Sequence, residues 1–224
     1  MPNRRHFSSR LLAAGAVLAA PEALFAQGAQ PAGAPVEGQH FVRLNTPAPV
    51  LLSTPEKKVD VVEFFWYGCP HCNAFEPLLE SWVKRLPADV SFRRVHVGFG
   101  GVHQVHQKLY YALEELGALP AMHRKVFAAL HAPTNRRQLV SDSEISAFGT
   151  ENGLDGAKLV ATMKSFSVNT KASKARQITD AYKIDGVPAL GVQGRWFTSG
   201  SLAGSLERMV VVADYLIGRA RTMS

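Results

Sequence analysis

Val59-Asp60-Val61-Val62-Glu63-Phe64-Phe65-Trp66-Tyr67-Gly68-Cys69-Pro70-His71-Cys72 is the stretch whose reading decides the fold. Val59 to Trp66 is apolar apart from Asp60 and Glu63, as expected of a central strand buried on both faces. After the second cysteine, Asn73 to Leu86 is amphipathic and reads as a helix. The two cysteines therefore fall where a strand hands over to the first turn of a helix. A helix N-terminus carries partial positive charge and unpaired N–H groups, so it stabilises a thiolate placed there. Pro70 suits that turn, because it has no N–H to leave unpaired and its φ is already helical. His71 adds a second polarising group beside the first sulfur.

These are the only two cysteines among 224 residues. A disulfide between them closes a tiny ring, which removes little chain entropy and is easily strained. The pair makes a poor staple and a good reagent. A strand, a CxxC pair and a helix in succession are the sequence form of a thioredoxin-like redox site. CxxC also serves as half of a zinc site, but zinc takes four ligands. His103 and His106 would have to supply the rest, and they open a helical block. No metal is expected, nor any other cofactor.

Upstream, Phe41-Val42-Arg43-Leu44 alternates and reads as a short first strand, followed by a connection punctuated by Pro47, Pro49 and Pro55. Downstream, Val90 to Val97 reads as the next strand, so that strand, helix and strand imply a parallel βαβ unit. From His103 to Tyr182 the pattern is helical, with no strand signal. Leu109, Leu113 and Leu116 mark one helix, closed by Gly117 and Pro120; Met122, Val126, Phe127 and Leu130 mark a second. Ser141-Asp142-Ser143-Glu144 is a capping box opening a third, which Asn152-Gly153 ends. Asp155 caps a fourth, with Leu159, Met163 and Phe166 inward, and a fifth runs from about Val168 to Tyr182. After Gly186-Val187-Pro188 come strands at Ala189–Val192 and Arg195–Thr198, with Gln193-Gly194 as a two-residue hairpin turn. Leu202 to Ile217 then gives one long amphipathic helix. The expected class is α/β, a thioredoxin fold with an inserted helical domain. Residues 41–102 and 183–224 form the first part, and residues 103–182 the insert.

Residues 1–26 read as an export signal, with Arg4, Arg5 and Arg10 ahead of the short apolar segment Leu11 to Ala20. The Arg4-Arg5 pair leaves both the general and the twin-arginine export routes open. Residues 27–40, rich in Gly, Pro, Ala and Gln, read as a flexible leader. Removing the signal leaves 22 basic and 17 acidic residues, a net charge of +5. The basic residues are scattered, without the aromatic-interleaved stripe that nucleic acid requires, so no nucleic-acid partner is expected. A mature chain of this length suits one well-buried domain carrying an insertion.

The run from Glu63 to Cys72, the Gly186-Val187-Pro188 triplet and the helical insertion together resemble the DsbA family of exported bacterial thiol oxidases. The resemblance covers nearly everything from Phe41 to the C-terminal helix. It implies that Cys69 is the exposed nucleophile and Cys72 the shielded resolving thiol, with Pro70 and His71 between them and His71 tuning the pair toward oxidation. It implies that Pro188 is a cis-proline facing the disulfide and that Val187 offers backbone contacts to an extended client. Glu63 matches the family's buried acid, and Arg94 stands where a lysine partner is usual. Arginine does not readily give up a proton, which sets it apart from that lysine. The resemblance further implies a periplasmic monomer that donates its Cys69–Cys72 disulfide to unfolded exported proteins. A quinone-linked inner-membrane partner of the DsbB type would reoxidise it.

On the residues alone, three other readings stay open. One is an isomerase or reductase of the same fold; these usually carry an N-terminal dimerisation domain, whereas only about 14 residues, Gln27 to His40, lie between the signal and the first strand here. The others are a peptide-binding chaperone and a metal-binding module. His96, His103, His106, His123 and His131 read as surface or packing residues. Trp66 and Tyr67 read as core or rim residues, or as aromatics facing a substrate.

Overall fold

The run Val59 to Phe65 forms a strand with every residue buried, and the rest of the sheet assembles around it. The computed structural model describes residues 33–223, so the export signal at 1–26 and residues 27–32 of the leader lie outside the described residues. The elements in chain order are β1 (Val42–Arg43), β2 (Val59–Phe65), α1 (Pro70–Val83), β3 (Val90–His96), α2 (Gly101–Glu115), α3 (Leu119–His131), α4 (Asp142–Glu151), α5 (Gly156–Met163), α6 (Phe166–Ala181), β4 (Ala189–Val192), β5 (Trp196–Ser199), α7 (Gly200–Ala203) and α8 (Leu206–Arg221). The sheet order is β1-β5-β4-β2-β3; β2 and β3 run parallel and the other pairings are antiparallel. This is a thioredoxin fold with five helices, α2 to α6, inserted between β3 and β4.

Alternation along β2 divides its side chains between two cores. Val59 and Val61 pack with Phe75, Leu79 and Trp82 of α1 and with Met209, Val212 and Leu216 of α8. Val62 and Phe64 face the inserted helices, in a core that includes Leu109, Leu113, Met122, Val126 and Phe127. The hairpin between β4 and β5 turns through Gln193 and Gly194, with φ of 53° and 60°, the left-handed pair that matches strand twist. Among the described residues, no helix is long and apolar enough to cross a membrane.

Three local expectations need correction. Phe166 is 88% exposed rather than inward. Helix α5 stops at Met163, and Ser165 caps a new helix by accepting the Val168 N–H at 3.1 Å. The spacing Leu159, Met163, Phe166 is thus interrupted, and Phe166 starts α6 facing outward. The C-terminal stretch is two helices rather than one: Gly204 at φ 91° ends α7, and Ser205 caps α8. At α4, Ser141 does accept the Glu144 N–H, but the Glu144 carboxylate does not complete the capping box. It accepts instead from the N–H groups of Gln138 at 2.8 Å and Val140 at 3.3 Å, tying down the loop before the helix.

Candidate active site

Strand β2 ends at Phe65, and Trp66 to Cys69 forms a tight turn closed by the Cys69 N–H donating to the Trp66 carbonyl at 3.0 Å. Cys69 is then the N-cap residue of α1, in extended conformation, and Pro70 occupies the first turn where its missing N–H costs nothing. Both cysteines are free thiols. Cys69 is 6% exposed and Cys72 0%, so the nucleophile the resemblance implied is at the surface only by its edge. Pro70 and His71 are the exposed pair between them. The Cys69 thiol donates to the Val187 carbonyl at 3.5 Å, and the Val187–Pro188 peptide bond is cis. A groove of 690 Å³ opens beside the pair, lined by His71, Val187, Pro188, Phe197, Leu202 and Leu206 among others.

The two sulfurs differ in acidity. The Cys69 pKa falls to about 6, chiefly through a hydrogen bond from the Cys72 thiol, against the opposing effect of burial. Backbone N–H groups of Cys72 and His71 add to the lowering, and the His71 side chain contributes last. The Cys72 thiol and the helix N–H groups lower Cys69 more than the His71 ring does, and the ring acts in the same direction. The Cys72 pKa is pushed well up by burial and by the neighbouring Cys69.

Beneath the pair lies a cluster of buried charge. Glu63 is fully buried and accepts from Arg94 Nε at 2.9 Å. The same guanidinium reaches Glu76 through Nη2 at 3.2 Å, and His123 Nε2 lies 3.2 Å from the other Glu76 oxygen, though not in hydrogen-bonding alignment. Two carboxylates thus compete for one arginine. Burial first, and then the Glu76 charge, raise the Glu63 pKa to about 8, whereas Glu76, although burial pushes it up, is held below the ordinary carboxylate range by His123 and Arg94. Glu63 is thus the weaker acid of the pair.

The DSBA-like thioredoxin domain family model matches residues 102–209. The chain is 40% identical over 219 residues to the thiol:disulfide interchange protein DsbA of Azotobacter vinelandii, covering 95% of this chain and 99% of that one. The Pseudomonas aeruginosa DsbA is 40% identical over 185 residues, covering 82% and 85%. The chain belongs to the DsbA family. The crystal structure of Pseudomonas aeruginosa DsbA superposes with a TM-score of 0.77 at 38% identity, covering 84% of this chain and 95% of that one. DsbA from Xylella fastidiosa does so with a TM-score of 0.76 at 31% identity, covering 84% and 98%. As a DsbA-family protein, this chain is a thiol:disulfide oxidoreductase that works by thiol–disulfide exchange.

The structure brings Cys69, Pro70, His71, Cys72, Val187 and Pro188 to one place, with Glu63 buried below. Sequence reading missed Glu76 and His123. Glu76 had a signal: it stands four residues after Cys72, on the buried stripe that continues to Leu79, where a carboxylate needs a partner. His123 had none, because its contact with Glu76 joins α3 to α1. Both nitrogens of His106 are engaged, one by the Trp66 indole and one by the Gln138 carbonyl, so it is not free to join the cysteines as a ligand.

Proposed function

We propose that this DsbA-family chain is the oxidant of the pair it forms with a client, with Cys69 as the exchanging thiol and Cys72 as the resolving one. The observation that carries this reading is the contrast in acidity within one helical turn, Cys69 at about 6 and Cys72 pushed well above an ordinary thiol. A client thiolate attacks the Cys69 sulfur of the disulfide. A client–Cys69 bond forms, the Cys69–Cys72 bond breaks, and Cys72 leaves as a thiolate that takes up a proton. A second client thiolate then attacks the client sulfur of this mixed disulfide and expels Cys69. The client has lost two electrons to the enzyme, and Cys69, the stable anion, is the good leaving group. Stabilising that anion stabilises the reduced enzyme, which makes its disulfide a strong oxidant. A strongly oxidising disulfide of this kind is general to DsbA.

The Val187 carbonyl beside Cys69 and the groove past Pro188 suit an extended, unfolded segment, whose backbone groups need partners and whose side chains need apolar cover. Exported, newly unfolded proteins have that character, and the signal-like residues 1–26 support a periplasmic location. Residues 41–102 with 183–224 would carry the redox chemistry, and residues 103–182 the helical cover. An oxidant that has been reduced needs a new disulfide, and a quinone-linked DsbB-type membrane partner supplies one to a monomeric enzyme in this scheme. Equilibration of the purified protein with mixtures of reduced and oxidised glutathione tests the direction. The reading requires the protein to stay reduced in mixtures that oxidise ordinary structural dithiols. A protein oxidised under strongly reducing mixtures would be a reductase.

A further inference from the structure

The turn that delivers Cys69 is held by histidines from three other elements. His96, on β3, accepts the Tyr67 N–H through Nε2 at 3.2 Å. His131, on α3, donates through Nε2 to the Tyr67 carbonyl at 2.8 Å, and His123 Nδ1 meets the Tyr67 hydroxyl at 2.9 Å. His106, on α2, accepts the Trp66 indole N–H through Nδ1 at 3.0 Å. The ring of His103 lies against that indole with centroids 4.0 Å apart. Every backbone polar group of Tyr67 is therefore taken by a histidine, and so is the one polar atom of the neighbouring indole.

Two of these bonds specify a protonation state. Because His96 Nε2 accepts, its proton sits on Nδ1, which donates to the Val97 carbonyl at 2.9 Å. Because His106 Nδ1 accepts, its proton sits on Nε2, which donates to the Gln138 carbonyl at 2.8 Å. A doubly protonated ring would aim a donor at a donor in either case. Burial lowers the pKa of both rings, which keeps them in the neutral form the bonds need.

The indole reaches Cys69 through Gly68. A Cβ on Gly68 would lie 2.3 Å from indole Cζ2, and its three nearest neighbours are all indole atoms of Trp66. Gly68 does not have the positive φ that would require glycine for backbone reasons. It is the indole lying over it that excludes a side chain. We propose that His96 and His106 are positioning residues for thiol exchange, their neutral rings anchoring Tyr67 and Trp66 so that the indole, seated on Gly68, fixes where Cys69 is presented. The proposal rests on Cys69 being the exchanging thiol, and it adds residues that touch neither sulfur.

The test uses the full-length mature protein with two readouts, the pH midpoint of the Cys69 thiolate absorbance and the rate at which the oxidised protein oxidises dithiothreitol. His106→Phe keeps a ring but strands the indole N–H; the midpoint should rise from about 6 and the rate should fall on the order of tenfold. His106→Asn offers an amide oxygen to the indole and should recover most of both. Gly68→Ala should reproduce the defect, and should add little to Trp66→Ala, in which the obstructing indole is gone. A His106→Phe protein that melts earlier yet keeps midpoint and rate overturns the proposal, as does an Asn variant no better than Phe. If the His106 variants do not fold, a Gly68→Ala defect of equal size with and without the indole overturns it alone. The midpoint belongs to Cys69 whether or not clients attack it, so failure of the role assignment, read from client trapping by Cys69→Ser, stays distinguishable.

Discussion

At the mouth of α1, Cys69 faces the helix N–H groups, a partner thiol and the Val187 carbonyl, with His71 exposed beside it. On the floor of the same turn, Cys72 faces apolar packing above a buried pair of acids that share one arginine. The N–H groups and the partner thiol at the mouth offer donors to an anion and lower a pKa; the floor offers burial, which raises both Cys72, with the Cys69 charge adding to it, and Glu63, with the Glu76 charge adding to it. Three residues along one helix thus separate a thiol poised to leave from a thiol poised to hold its proton. The lesson is that the helix N-terminus alone does not set the redox asymmetry. The contrast between what lies at its open end and what lies beneath it does.

The contrast breaks most completely when one sulfur is removed. Cys72→Ser should accumulate mixed disulfides between Cys69 and clients, whereas Cys69→Ser should accumulate almost none, because the remaining thiol is fully buried and protonated. Non-reducing gels of extracts from cells making each variant report it. Equal trapping by both would erase the distinction between mouth and floor. Removing the cation beneath comes next. Arg94→Met leaves two buried acids without their shared partner and should destabilise the protein by about 3–5 kcal/mol in denaturant melts.

A subtler change separates the two acids. Glu63 is protonated in the folded state up to about pH 8, far above its unfolded value, so its ionisation takes stability away as pH rises between those values. Glu63→Gln mimics the protonated form and escapes that loss. Its stability relative to the parent should therefore grow from about pH 4.5 to about pH 8 and level off above. A constant difference across that range would mean that Glu63 is ionised in the folded protein. The smallest effect belongs to His71. Its side chain is exposed and is the last of the influences lowering Cys69, so His71→Val should raise the Cys69 midpoint by less than about one unit.

The fold was legible wherever a local pattern had only one reading. The apolar run of β2, the proline-led helix after Cys69 and the glutamine-glycine turn at 193–194 each state their structure within a few residues. Where two helices abut, the pattern misled: the stripe from Leu159 continues numerically to Phe166, but Ser165 restarts the helix and turns that ring outward. Leu202 and Leu206 look continuous in the same way until Gly204 takes a left-handed conformation between them. At the site, Cys69, Cys72, Val187 and Pro188 carried motif signals, and Glu63 stood out as a carboxylate in an apolar run. The histidines did not. Each is separated from the turn it holds by about 30 to 60 residues, and only the packing of β3, α2 and α3 around that turn shows what they do.

The central claim is that the folded protein favours the Cys69 thiolate over the disulfide, and the most direct measurement is a pair of denaturant melts of the oxidised and reduced forms. A thiolate whose pKa is lowered on folding contributes stability that is fully present above the unfolded thiol pKa and fades as pH falls through about 6. The reduced form should therefore be the more stable at pH 8, with its advantage shrinking steadily toward pH 6. An oxidised form that is the more stable at pH 8 would make the bond a structural one and contradict the account.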